Sequence, residues 1–190
     1  IEVERADGVT IEAEVSLPAD WQEGDAPLPA IFWHYPSEYE SVEDYQDDDG
    51  FGFDNPNDFQ GGFGSRSLEY LLLRGWAVVE PDVPIIGEGD SREWNEEFIP
   101  DLRNSFAAVI DEVSRRGWVD RDRLAVGGHS YGGFGTIHAL IRTPFFKAGI
   151  AGSPNSNRTL TPPVSSARSA RCGRPDSRTC RCPPSSGWTS

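Results

Sequence analysis

The sequence lacks methionine altogether and has few cysteines, histidines and lysines. Its 190 residues include three cysteines, three histidines and no methionine. Lys147 is the only lysine. Cys172, Cys180 and Cys182 have neither histidine partners nor a paired C-x-x-C spacing, which argues against a zinc site. Because the chain opens at Ile1 without a methionine, we expect a processed product or a fragment of a longer protein.

Long apolar runs and a surplus of basic residues are also missing. No apolar run approaches the roughly 18 residues that a membrane span needs, and no signal-like segment precedes the first strand-like run. The net charge of −14 argues against nucleic-acid binding, because nucleic-acid-binding proteins need a basic face for phosphates. We therefore predict a cytoplasmic protein with neither nucleic acid nor membrane among its partners.

The charge is unevenly distributed along the chain. Residues 161–190 hold all three cysteines, five arginines and a single acid, Asp176. The rest of the chain is acidic and poor in lysine. Such a composition keeps a protein surface hydrated where salt screening is strong, so we hypothesise a halophilic source. The alternative is an ordinary acidic soluble enzyme.

Strand-like and helix-like segments alternate along the chain. Residues 1–17 alternate apolar and polar side chains around Asp7-Gly8, which predicts a β-hairpin. The apolar run Leu28–Trp33 is typical of a strand buried on both faces, and the polar residues 37–64 indicate a long surface loop. The remaining predicted elements are a helix over 67–74 ended by Gly75, a strand over 76–79, a helix over 101–116 between Pro100 and Gly117, a strand over 124–127, a helix over 133–141 and a strand over 146–151. This alternation predicts an α/β fold with a mostly parallel sheet flanked by helices.

The sharpest local pattern is GHSYG at residues 128–132, a G-x-S-x-G between a predicted strand and a predicted helix. A nucleophilic serine needs a tight, strained turn that lifts its oxygen above the sheet, and side chains two residues to either side would collide there. We therefore predict that Ser130 is a nucleophile and that the N–H of Tyr131 donates to an oxyanion. The alternative is an ordinary strand-to-helix turn whose serine caps the helix.

None of the histidines suits the role of general base. Hydrolases with this serine turn carry their triad in the order Ser, Asp or Glu, His. His138 is the only histidine after Ser130, and it lies on the following helix, where we expect it to face the packing. His129 adjoins Ser130 but points to the opposite side of the turn. We expect both to be structural, so neither the triad histidine nor the triad acid is in this chain.

Two further stretches suggest ligand sites but fail the required patterns. Residues 47–50 resemble a calcium loop, but Tyr45 and Pro56 occupy the first and twelfth ligand positions. The glycines at 61, 62 and 64 are not followed by the Gly-Lys-Ser/Thr of a phosphate loop. We therefore predict no metal and no cofactor.

Four segments together carry a family resemblance: PAIFWHYP (29–36), PIIGEGD (84–90), DRLAVGGHSYGG (122–133) and NRTLTP (157–162). They resemble the catalytic domain of the prolyl oligopeptidase family of serine peptidases, in particular its glutamyl endopeptidase-like branch. The resemblance implies an α/β-hydrolase fold, a peptide substrate, no metal, and an acyl-enzyme on Ser130. It also implies the Tyr131 amide as one oxyanion donor, with Tyr35 as the candidate for the second. Many family members carry a β-propeller before this domain, and the branch alone implies cleavage after acidic residues.

The resemblance stops after Pro162. Relatives carry Leu-Trp-Glu-Ala and Met-Ser-Pro there, and codons for these residues, shifted by one nucleotide, encode the Cys-Gly-Arg-Pro at 172–175 and the Cys-Pro at 182–183. We infer that the residues from about 163 onward are a frameshifted tail and that the C-terminal strands bearing the triad acid and histidine are missing. The alternative is a genuine basic, disordered extension.

These observations predict two domains that differ in composition and in order. We expect residues 1–162 to form a partial α/β-hydrolase peptidase domain and residues 163–190 to form a low-complexity, disordered basic tail. The function we predict is that of a serine peptidase, in an incomplete form with little or no turnover. The alternatives are an esterase on the same fold and a non-catalytic remnant.

Overall fold

The computed structural model describes residues 1–48, 68–87 and 93–154. Its strands are β1 (Glu2–Glu4), β2 (Thr10–Ser16), β3 (Leu28–Trp33), β4 (Ser37–Tyr39), β5 (Ala77–Pro81), β6 (Pro84–Ile86), β7 (Val119–His129) and β8 (Ala148–Gly152). Its helices are α1 (Val42–Gln46), α2 (Glu69–Leu72), α3 (Glu93–Arg115) and α4 (Tyr131–Arg142). None of the helices in these ranges has the length and apolar character that a membrane crossing requires.

The main sheet has the strand order β1-β2-β5-β3-β7-β8. Strand β2 pairs antiparallel with both β1 and β5, whereas β5, β3, β7 and β8 are mutually parallel. A second sheet is formed by the parallel pair β4 and β6. The predicted α/β architecture, a mostly parallel sheet opened by an antiparallel hairpin, is therefore confirmed.

The sheet is covered on both faces by apolar side chains. On one face Phe32 of β3 and Val126 of β7 are fully buried against α3 and α4, with Phe106 packing edge-on to Phe32 at 6.2 Å between ring centroids. On the other face Ile31 and Val78 pack with the leucines of α2 and with Leu68, the residue before that helix. Burial on both faces explains why β3 is a continuous apolar run rather than an alternating one.

Several turn predictions are confirmed. The hairpin turns at Gly8, which has a φ of 87°. Gly75 and Gly117 follow α2 and α3 with φ angles of 74° and 75°. Glycine reaches this left-handed region without the Cβ penalty that other residues incur, so it ends helices efficiently.

The prediction of a continuous loop over residues 37–64 is wrong in its first part. Residues 37–39 form β4, which pairs with β6 from Ser37 opposite Pro84 to Tyr39 opposite Ile86. Helix α1 follows, with the Ser41 hydroxyl accepting a hydrogen bond from the Asp44 N–H at 3.0 Å as an N-cap. The partner strand β6 lies far along the chain, so no pattern of neighbouring residues predicts β4. Residues 49–64 lie outside the described residues.

The start of the long helix is also predicted wrongly. Helix α3 begins at Glu93, so Pro100 lies inside it rather than before it. A proline inside a helix removes one hydrogen bond, which costs free energy. Phe98 offsets this cost, because it is 4% exposed and packs against Phe134 at 5.0 Å. The tertiary burial of Phe98 therefore outweighs the local proline signal.

Candidate active site

Ser130 lies at the junction of β7 and α4. Strand β7 ends at His129 and helix α4 begins at Tyr131, so the single residue Ser130 makes the turn. Its φ is 56° and its ψ is −110°, a strained conformation for a residue with a side chain. Two backbone hydrogen bonds hold it: the Ser130 N–H donates to Gly152 O at 2.9 Å, and the Phe134 N–H donates to Ser130 O at 3.1 Å.

The glycines of the GHSYG pattern are required by close backbone contacts. A Cβ on Gly132 would lie 2.2 Å from the backbone oxygen of His34, and one on Gly128 would lie 2.6 Å from the same oxygen. Real Cβ atoms do not approach a carbonyl oxygen so closely. The loop after β3 therefore packs directly on the serine turn, and only glycine leaves room for it.

The capping-serine alternative is contradicted by the geometry. The Ser130 side chain makes no cap hydrogen bond to the first turn of α4. Helix capping needs extended backbone at the cap residue, and Ser130 does not have it. The strained turn thus has no explanation in helix capping.

Tyr131 is fixed by aromatic packing and by one hydrogen bond. Its ring lies 5.6 Å from Phe98, 5.9 Å from Phe134 and 6.1 Å from Tyr35, measured between ring centroids. Its hydroxyl donates to Glu38 Oε1 at 2.8 Å. The structure thus brings Tyr35 and Tyr131, the two predicted oxyanion donors, side by side. The Tyr131 N–H belongs to the first turn of α4, where the helix dipole favours negative charge.

A shallow pocket of about 290 Å³ opens beside this turn. It is lined by Tyr35, Pro36, Ser37, Glu38, Tyr39, Asp48 and Tyr131. The Tyr39 hydroxyl donates to Asp48 Oδ2 at 3.2 Å. Burial, and then the charge of Asp48, raise the pKa of Tyr39 above its ordinary value, so its hydroxyl keeps the proton that it donates. Glu38 and Asp48 were not predicted as site residues, because sequence patterns assigned both to a loop.

Two of the histidines pack against aromatic rings of helices α3 and α4. His34 is 3% exposed, packs edge-on to Phe106 at 5.0 Å, and has its Nε2 3.5 Å from Thr136 Oγ1. Burial lowers the pKa of His34 to about 3. His138 packs on Phe134 at 4.4 Å between ring centroids, and burial lowers its pKa as well. His138 therefore faces the packing, as predicted.

His129 ends β7 and pairs with Gly152 of β8. Its role as a structural residue stays a prediction. Among residues 1–48, 68–87 and 93–154, no group of three or more histidine, cysteine or acidic side chains could hold a metal ion. The predictions for residues 49–50, the glycines at 61–64, the NRTLTP segment and the tail from 163 fall outside the described residues.

Comparison with known proteins places the chain among peptidases. The profile of the prolyl oligopeptidase family (Peptidase S9) matches residues 63–167. A probable chloroplastic glutamyl endopeptidase of Arabidopsis thaliana is 44% identical over 165 residues, which are 85% of this chain. The chain belongs to the prolyl oligopeptidase family. A probable chloroplastic glutamyl endopeptidase of Oryza sativa is 43% identical over the same share of the chain. The chain spans 17% of the length of these two relatives.

Solved structures of family members share the fold. The AtxE2 isopeptidase aligns with a TM-score of 0.55 at 19% identity, over 78% of this chain and 22% of that protein. A dipeptidyl peptidase 4 of Porphyromonas gingivalis aligns with a TM-score of 0.55 at 23% identity, over 81% of this chain and 20% of that protein. The chain thus has the α/β-hydrolase fold that the family resemblance implies.

Proposed function

We propose that this chain is part of a serine peptidase and that Ser130 is its nucleophile. The observation that carries the proposal is the strained backbone of Ser130 at a strand-to-helix turn that no capping bond explains. Backbone strain at a polar residue between two rigid elements is typical of functional sites. Membership of a peptidase family supports a peptide as the substrate.

The reaction uses the groups around the turn in a fixed order. The Ser130 hydroxyl attacks the peptide carbonyl while a general base takes its proton, and the carbonyl oxygen becomes an oxyanion. The Tyr131 N–H and Tyr35 are the groups that we assign to this oxyanion. The leaving amine departs with the proton, and water then hydrolyses the ester on Ser130. In Ser-His-Asp hydrolases the base is a histidine, and His34 and His138 are unsuited because His34 is buried beside Phe106 and His138 packs on Phe134.

Labelling with a fluorophosphonate tests the nucleophile. We expect slow labelling of Ser130 and peptide turnover close to background, because His34 and His138 are placed away from the role of base and we predict a structural role for His129. Peptide mass spectrometry should place the label on Ser130, and Ser130→Ala should abolish it. Ser153→Ala is the matched control, since Ser153 is the other serine with a positive φ among the described residues. Absence of label, or label that persists in Ser130→Ala, would contradict the proposal.

We also propose that the protein works in concentrated salt. Support comes from the net charge of −14 and from glutamates that face each other on the sheet, Glu2 opposite Glu12 and Glu14 opposite Glu80. Like charges directly opposite each other destabilise a strand pair, and salt screens their repulsion. A cytoplasmic location stays a prediction.

A further inference from the structure

The side chain of His34, the residue directly after β3, is enclosed between helices α3 and α4. Its ring packs edge-on to Phe106 of α3 with 5.0 Å between ring centroids, and its Nε2 lies 3.5 Å from Thr136 Oγ1 of α4. A Cβ on Gly135, also in α4, would lie 2.4 Å from the Cε1 of His34. The ring therefore fills a space bounded by both helices, and it cannot shift far in a close-packed interior.

The main chain of His34 lies on the serine turn. Its N–H donates to Gly127 O at 3.0 Å, which continues the contact of β3 with β7 beyond Trp33. Its backbone oxygen is the one that excludes a Cβ from Gly128 and Gly132. Thr136, which lies beside the ring, also holds the turn, because its hydroxyl donates to Gly132 O at 2.8 Å. One residue is thus enclosed in the core through its side chain and touches the turn through its backbone.

The next residue along the chain is Tyr35, one of the two groups that we assign to the oxyanion. Its Cα would lie 3.5 Å from a Cβ on Gly132, and its ring packs edge-on to Tyr131 with ring centroids 6.1 Å apart. A group that stabilises an oxyanion acts only if it is held in place before the reaction. A misplacement of about 1 Å can lower a reaction rate roughly 100-fold. Because a single peptide bond joins Tyr35 to His34, the placement of His34 bears directly on that of Tyr35.

We propose that His34 is a positioning residue for the oxyanion site. Its buried ring fixes the loop after β3 against the serine turn and so sets where Tyr35 lies relative to Ser130. This inference rests on the proposed function. The ring acts through its shape and packing, without proton transfer. Gly135 belongs to the same arrangement, because its missing side chain leaves the room that the ring occupies.

The contact between the rings of Tyr35 and Tyr131 reports the position of the loop without requiring any reaction. We expect nuclear Overhauser effects between the two rings in the intact wild-type chain. His34→Ala removes the positioning ring, and Gly135→Ala presses a methyl group against it from the helix side. We expect both variants to lose most of the ring-to-ring signal. Alanine favours helices over glycine, so Gly135→Ala does not weaken α4 by its backbone preference and serves as the second variant if His34→Ala does not fold.

Leu140→Ala is the matched control for these variants. Leu140 belongs to the same helix α4, but its side chain lies toward β8, where it is the nearest group to a Cβ on Gly149. The substitution therefore loosens the packing of α4 at a place away from His34. We expect it to leave the signal between Tyr35 and Tyr131 unchanged.

Fluorophosphonate labelling of Ser130 measures the consequence for the reaction. We expect the maximal labelling rate at saturating reagent to fall roughly tenfold in His34→Ala and in Gly135→Ala, and to stay unchanged in Leu140→Ala. The reagent concentration at half-maximal rate should change little, because the oxyanion groups act on the chemical step. The double variant His34→Ala/Gly135→Ala should label no more slowly than His34→Ala, because the added methyl group then meets no ring. Urea unfolding checks that each variant is folded under the labelling conditions.

The outcomes separate this inference from the proposed function. A ring-to-ring signal that persists in both His34→Ala and Gly135→Ala would overturn it, as would wild-type labelling rates in variants that have lost this signal. An equal loss in Leu140→Ala would also overturn it, because general loosening of α4 would then be the cause. A wild type that never labels contradicts the nucleophile, while the signal between the rings still decides whether His34 places Tyr35.

Discussion

At the scale of single residues, His34 connects the core to the serine turn. Its backbone oxygen is the atom that Cβ atoms on Gly128 and Gly132 would strike. Its ring lies in the core beside Phe106 and Thr136, and its Nδ1 has no hydrogen-bond partner within the described residues. A protonated imidazole there would be a buried charge without a counter-ion, which explains the pKa of about 3.

The low pKa of His34 predicts a loss of stability in mild acid. The unfolded chain takes up the proton near the ordinary histidine pKa of about 6.5, whereas the folded chain takes it up only near pH 3. Protonation therefore favours unfolding as the pH falls below about 6.5. We expect the free energy of unfolding, measured with urea between about pH 7 and pH 5, to fall more steeply in the wild type than in His34→Gln.

Two further variants serve as a second replacement and as a control for this prediction. His34→Phe is a second replacement that cannot be protonated, in case the glutamine variant does not fold. Thr136→Val removes the hydroxyl near Nε2 and keeps the imidazole, so it should retain the wild-type slope. If the free energy of unfolding falls equally with pH in the wild type and in both His34 variants, His34 is not the group responsible for the loss of stability.

At the scale of elements, the hairpin places like charges opposite each other. Glu12 of β2 lies directly across from Glu2 of β1, whereas Glu4 of β1 lies across from Thr10. Glu2, Glu4 and Glu12 are all exposed, so they differ chiefly in the residue that faces them. Glu12 also raises the pKa of Asp82, although burial is the larger cause.

Neutralising Glu12 should therefore stabilise the protein at low salt. We expect Glu12→Gln to raise the free energy of unfolding by roughly 0.2–1 kcal/mol, because it relieves a direct cross-strand repulsion. Molar potassium chloride should erase most of the gain through screening. Glu4→Gln is the matched control and should gain less. Equal gains for the two variants, or a gain that salt leaves intact, would count against the cross-strand explanation.

At the scale of the whole molecule, the buried Arg5 joins three distant parts of the chain. Arg5 is 2% exposed, pairs with Asp7 beside it and with Asp101 of α3, and donates to Pro84 O of β6 at 3.0 Å. Asp101 Oδ2 accepts from the Ile86 N–H at 2.8 Å. Both ends of β6 are thus fixed, and β6 pairs with β4, which carries Glu38. The hairpin therefore supports one wall of the pocket beside Ser130.

Removing one partner of this pair should be costly. Asp101→Asn leaves Arg5 with the partly exposed Asp7 as its remaining counter-ion. Loss of the whole counter-charge of a buried ion costs roughly 3–5 kcal/mol, so we expect a smaller but clear loss of stability here. A double-mutant cycle by urea unfolding measures the coupling of the two residues. We expect the double variant Arg5→Met/Asp101→Leu to lose less free energy of unfolding than the two single variants lose together. Asp120→Asn is the control: its partner Arg123 lies 2.6 Å away at an exposed site, so its cost should be much smaller than that of Asp101→Asn. Additive single changes would contradict a coupled buried pair.

The sequence by itself determined the features that depend on neighbouring residues. Burial on both faces made β3 an uninterrupted apolar run, and glycine at Gly8, Gly75 and Gly117 marked turns that need a positive φ. The serine turn was also predictable, because its steric requirements fall within the five residues 128–132. Alternation of strands and helices was enough to predict a mostly parallel sheet.

Only the tertiary structure decided the features that depend on partners far along the chain. Strand β4 exists because it pairs with β6, and Pro100 stays helical because Phe98 is buried on α4. The pocket beside Ser130 joins the loop after β3 to Tyr131, and the buried Arg5 pairs with the distant Asp101. Burial and electrostatic pairing act through space, so a pattern of adjacent residues carries no signal for them.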